Sequence, residues 1–162
     1  MATLRKYNNK GAIGAILDEY AKAIEAVKVV ISDISPQDLL RVMDTQTQDE
    51  DCKSIQTILG HIVSSGYTYV IETRKHLGEK LDYKESILRL SVAEYIMDLD
   101  KMFAYNIQLF DDFPDIQLEE FAENKKMKTR WRQKYDVEQL FEHAIVHVLR
   151  HRRQIERFKN HK

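Results

Sequence analysis

Three histidines near the C-terminus recur at every fourth position: His143, His147 and His151, within Asp136-Val-Glu-Gln-Leu-Phe-Glu-His-Ala-Ile-Val-His-Val-Leu-Arg-His-Arg-Arg-Gln-Ile155-Glu-Arg-Phe158. A helix turns about 100° per residue, so each is displaced about 40° from the one before and one turn further along. The apolar residues Leu140, Ala144, Val148, Ile155 and Phe158 fall on nearly the same side. His147 and His151 share that inward face, and His143 lies at its edge. Two imidazoles at i, i+4 can aim one ring nitrogen each at a single cation, the arrangement of helical zinc sites. The competing reading is a set of core histidines, each bonded to a carbonyl or carboxylate. A metal site needs at least one more ligand from elsewhere in the chain.

The elements that would position these residues are helices. The chain has 162 residues, enough for one domain with a sizeable core over 1–162. Five glycines and two prolines leave room for long uninterrupted helices. The first is expected from Gly11 to Ile31, where Ile13, Leu17, Tyr20, Ile24, Val27 and Ile31 keep a 3–4 spacing. Ser35-Pro36-Gln37-Asp38 opens a short helix carrying Leu39, Leu40 and Met43: a serine cap, a proline at the first position, and an acidic residue at the positive end of the dipole. A polar loop, Asp44 to Lys53, follows.

A second long helix runs from Ser54 to about Leu77 with Gly78 as its stop, and its stripe is Ile55, Ile58, Leu59, Ile62, Gly66 and Tyr69. Gly66 costs roughly 1 kcal/mol relative to alanine in mid-helix, which close helix packing would justify. Leu81 to Leu90 is a connector. Ser91-Val-Ala-Glu94 is a capping box for a third long helix through about Phe110, with Val92, Tyr95, Ile96, Leu99, Met102, Phe103 and Ile107 inward. Asp115 to Tyr135 reads as charged and irregular, and Asp136 with Gln139 caps the histidine helix. The expected fold is all-α: a four-helix bundle with a short extra helix and long connections.

Composition narrows the function. Charged residues make up 31% of the chain and hydrophobic ones 43%, with a net charge of -1. That balance argues against a nucleic-acid partner, which calls for a basic excess. Lys6 and Lys10 precede the short apolar run Gly11 to Leu17, which Asp18 and Glu19 end, so neither a secretion signal nor a membrane span is expected and the compartment is the cytosol. Cys52 is the single cysteine, which removes disulfide frameworks and cysteine-based zinc sites; in its polar run it reads as an incidental surface thiol.

His61 is the candidate third ligand, a border residue of the second long helix. Bundles build metal sites from facing helices, and three histidines leave positions open for water or substrate. Di-iron chemistry is excluded because a Glu-x-x-His pair is needed, and Ile58, Ala144 and Val148 stand three residues before the proposed ligands. A His-Glu-x-x-His protease helix is absent too, since His143 and His147 enclose Ala-Ile-Val. His143 is a candidate general base or a partner for an imidazole, and Gln154 could orient one. Tyr20 and Tyr69 could line a pocket or simply fill the core. Arg130-Trp131-Arg132 could grip an anionic substrate or form a solvated loop with one anchoring ring.

Two of these stretches resemble a family. Ser54-Ile-Gln-Thr-Ile-Leu-Gly-His61-Ile is similar to the second-helix motif of the DinB/YfiT-like superfamily, S-[IV]-x-x-[IL]-L-x-H-[IL]. His147-x-x-x-His151-Arg-Arg-Gln-Ile155 resembles its last-helix signature, H-x-x-x-H-R-G-Q-[IL], with Arg153 in place of the usual glycine at a position expected to face outward. The resemblance covers nearly the whole chain in helix layout. It implies a divalent-metal site of His61, His147 and His151, holding zinc or nickel. It also implies an S-transferase using a low-molecular-weight thiol such as bacillithiol or mycothiol, a thiol-dependent isomerase, or a hydrolase, often as a homodimer. The alternative is a non-catalytic metal- or ligand-binding bundle.

Overall fold

The computed structural model describes residues 11–161, and the chain over that range is mostly helical, with a small two-stranded ribbon. Lys6 and Lys10 lie outside the described residues. Helix α1 spans Ala12–Ile31, α2 Pro36–Leu40, α3 Ile55–His76, α4 Val92–Asp112 and α5 Val137–Asn160. A 3₁₀ turn, Glu50–Cys52, precedes α3. Strands β1, Met127–Lys128, and β2, Lys134–Tyr135, pair antiparallel just before α5.

The long helices start where the side chains direct them. The Ser54 hydroxyl accepts from the Thr57 amide, Ser91 from Glu94 and Asp136 from Gln139, and in each case the third residue returns a bond to the cap. Ser35 caps α2 the same way from Asp38. Gly78, at φ 100°, ends α3 in a conformation that a side chain would strain.

The apolar stripes make one core. Helix α1 packs on α5 and α4, and α3 packs on the same two, so each long helix touches two neighbours. Leu17, Tyr20, Ile24 and Val27 of α1 meet Ile58, Leu59 and Ile62 of α3, Tyr95, Leu99 and Met102 of α4, and Leu140, Phe141, Ala144 and Val148 of α5. Helices α3 and α4 approach closely at Gly66: a Cβ there would lie 2.2 Å from Met102 Sδ, and Asn106 Nδ2 donates to the Gly66 carbonyl at 3.2 Å. That is the close packing for which a glycine in mid-helix was expected.

Two stretches depart from the expectation. Met43 lies beyond the end of α2; its amide instead donates to the Lys53 carbonyl at 2.8 Å and closes the Asp44–Lys53 loop on itself. The 115–135 segment is not wholly irregular, because residues 127–135 form the hairpin. Its loop turns at Arg132, φ 68°, with the Arg132 amide donating to the Thr129 carbonyl at 2.8 Å. No helix of the described residues is long and apolar enough to cross a membrane.

Candidate metal centre

Helices α3 and α5 lie side by side, and this brings His61 of the first against His147 and His151 of the second. His61 Nε2 is 2.9 Å from His147 Nε2, and His147 Nε2 is 3.1 Å from His151 Nε2. One ligand atom from each ring lies within 4.8 Å of the other two. Two nitrogens about 2.0–2.1 Å from one ion, at roughly 90–110°, stand about 2.9–3.4 Å apart. The His61–His147 and His147–His151 spacings fit a shared divalent ion, and the third pair lies within 4.8 Å.

The opposite ring edges fix which nitrogens are free. His61 Nδ1 faces Asp51 Oδ2 at 3.1 Å, and His151 Nδ1 faces Gln154 Oε1 at 3.0 Å. Both oxygens accept, so both Nδ1 atoms carry the proton and both Nε2 atoms present lone pairs. His147 sits between them. If it protonates Nε2, it can satisfy only one of its two neighbours. If it protonates Nδ1, that buried atom has no hydrogen-bond partner among the described residues, and three lone pairs meet. A cation at the meeting point resolves the conflict, which is the physical case that these residues suit a metal.

Charge and burial agree with that reading. Burial, followed by the neighbouring His151, His61 and His143 and then Arg150, pushes the His147 imidazole down to about 2. His151 is only 3% exposed, and burial lowers its pKa as well. These rings therefore stay neutral at ordinary pH, the form that ligates.

His61 and His147 wall an open cavity of about 420 Å³. Tyr69, Trp131 and His143 form its aromatic side, while Ser64, Thr68 and Arg130 supply polar groups. His143 is not one of the clustered ligands. Its ring stacks on His147 at 6.2 Å and 18°, and on Trp131 at 6.1 Å and 25°. Its Nδ1 lies 3.4 Å from the Tyr135 hydroxyl, and burial lowers its pKa. The 127–135 hairpin thus carries Trp131 and Tyr135 to the site helix.

The remaining sequence candidates divide. Tyr69 lines the cavity edge-on to His147, and burial raises its pKa. Tyr20 is a core residue whose hydroxyl points at Met102 Sδ, 3.8 Å away. Trp131 is half-buried, Arg130 reaches over the Tyr83 ring, and Arg132 is exposed, so the cluster is one anchoring ring between two solvated cations. Arg153 is exposed, as its place on the helix foretold.

Cys52 corrects the surface reading. It is 8% exposed, and its Sγ lies 3.3 Å from Asp49 Oδ2. The 3₁₀ turn packs on α3 and buries the thiol, and a run of polar letters gives no sign of that. Asp51 was also missed, because a loop carboxylate three-dimensionally close to a helix histidine leaves no periodic signal. No family model, curated protein or solved structure matches this chain.

Proposed function

We propose that this protein is a divalent-metal-dependent enzyme of the DinB/YfiT-like kind, a four-helix bundle that uses zinc or nickel to run a thiol-dependent S-transfer or a hydrolysis. The observation that carries the reading is that three imidazole lone pairs converge beside an open cavity, and two of the three ligands wall it. A purely structural ion calls for a fourth protein ligand and no access, whereas the cluster among the described residues has three members. His61, His147 and His151 would hold the ion. The chemistry it supplies is Lewis acidity, which lowers the pKa of a thiol or a water.

The chain's own residues supply the rest. His143 is neutral and at the cavity wall, where it can take a proton from the incoming nucleophile. Trp131 and Tyr69 give a flat apolar wall for an electrophile, and Arg130 sets a positive charge at the mouth that suits a carboxylated thiol. The single cysteine does not line the cavity and its S–H donates to Asp49, so an attacking sulfur comes from a cosubstrate. The family resemblance further proposes a homodimer, which sedimentation equilibrium tests.

The test is turnover by zinc- or nickel-loaded protein, with a panel of low-molecular-weight thiols against a chromogenic electrophile and, separately, of ester and amide substrates in water. Metal-dependent turnover that His143→Ala weakens supports the reading. A protein that binds one ion per chain and turns over none of these points to the non-catalytic metal-binding alternative.

A further inference from the structure

The metal centre is held from outside at two points, on two different helices. Asp51 Oδ2, in the segment between α2 and α3, faces His61 Nδ1 at 3.1 Å. Gln154 Oε1, three residues further along α5, faces His151 Nδ1 at 3.0 Å. Two of the three clustered histidines therefore have an acceptor at their outer edge.

The turn that carries Asp51 is itself held. The Asp49 carboxylate can only accept, so the Cys52 S–H donates to it at 3.3 Å. Asp49 also accepts from the Asp51 amide at 3.0 Å, and the Lys53 carbonyl takes the Met43 amide at 2.8 Å. The same carboxylate thus sets the backbone that aims Asp51. On α5, Gln154 Oε1 accepts, so His151 carries its proton on Nδ1 and leaves Nε2 free.

We propose that the Asp49–Cys52 turn and Gln154 of α5 together clamp the metal centre, with Asp51 and Gln154 as the positioning residues that lock the Nδ1–H tautomers of His61 and His151. The inference rests on the reading that the three histidines hold a metal. Outer partners of this kind set ligand orientation and basicity, and their loss typically costs 10–100-fold in metal affinity. Cys52 is a donor that holds the turn through Asp49 rather than a reactive group, and a hydroxyl can replace it.

The experiment measures Zn²⁺ affinity by competition with a chromophoric chelator, the visible spectrum of Co²⁺-loaded protein, and the thermal midpoint of the metal-free chain. Asp51→Ala and Gln154→Leu should each lose about tenfold to a hundredfold in affinity and alter the Co²⁺ bands. Gln154→Glu keeps an acceptor toward His151 and should restore most of the loss. Cys52→Ser should stay close to wild type, and Cys52→Val, which loses the bond to Asp49 that holds the turn, should follow Asp51→Ala. A merely structural turn would lower the metal-free midpoint and leave the Co²⁺ bands unmoved in folded protein. Variants with wild-type affinity and spectra overturn the clamp while the metal site stands. A wild-type chain that takes up neither ion overturns the metal reading, and the clamp with it.

Discussion

His61 Nε2 and His147 Nε2 stand 2.9 Å apart although 86 positions separate them in the chain. Two imidazole nitrogens at that distance on packed helices, with a third ring 3.1 Å from the second, call for a shared proton or a cation between them. The arrangement depends on α3 keeping its depth against both α4 and α5.

Gly66 holds that depth. Gly66→Ala brings a methyl into Met102, a fully buried side chain. Overpacking costs about 1–3 kcal/mol, and the better helix propensity of alanine offsets up to roughly 1 kcal/mol of it. Urea unfolding should show a net loss on the order of 1 kcal/mol. A more stable variant would mean that Met102 moves aside freely.

His143 separates ligation from chemistry. It stacks on His147 but is not among the clustered ligands. His143→Ala should keep its full complement of metal and lose turnover by about a factor of 10²–10⁴, the range for a removed general base. Loss of the metal together with activity would place His143 among the ligands.

Trp131 reports on the site without a label. It is the only tryptophan in the sequence, and its ring stacks on His143, which stacks on His147. Titration with Ni²⁺ or Co²⁺ should quench its fluorescence with an endpoint at one ion per chain. Unquenched emission in protein shown to hold the ion would take Trp131 away from the site.

Acid should destabilise the metal-free chain. An unfolded imidazole takes up its proton near its ordinary value of about 6.5. In the folded chain burial, and then the charges of the neighbouring histidines, holds His147 down to about 2, and burial also lowers His151 and His143. Between those values the unfolded state binds more protons, so stability falls as pH drops below about 6.5 and is unaffected by these groups above it. Thermal midpoints of the metal-free protein should decline from pH 7 to pH 5, and less steeply in His147→Ala. Equal slopes in the two proteins would remove His147 as the cause.

The long helices and the three histidines that cluster were legible in the sequence because helical periodicity and local caps write themselves into neighbouring residues. Ser91 with Glu94 and Asp136 with Gln139 mark two helix starts unaided. The hairpin was not legible: its strands are two residues each, too short for alternation, and its turn places Arg132 at positive φ where a glycine would have signalled it. Cys52 and Asp51 were hidden for a related reason. The burial of Cys52 and the contact of Asp51 come from where the Asp44–Lys53 loop docks, a tertiary fact carried by α3 and its His61.

The most direct test is the metal content of purified wild-type protein beside His147→Ala, both prepared without chelator or nickel resin and both offered Zn²⁺ and Ni²⁺. Close to one transition-metal ion per wild-type chain, lost in the folded variant, is the predicted result. No bound metal in either protein after that addition would contradict the account, and His61, His147 and His151 would then be a neutral cluster of pocket histidines.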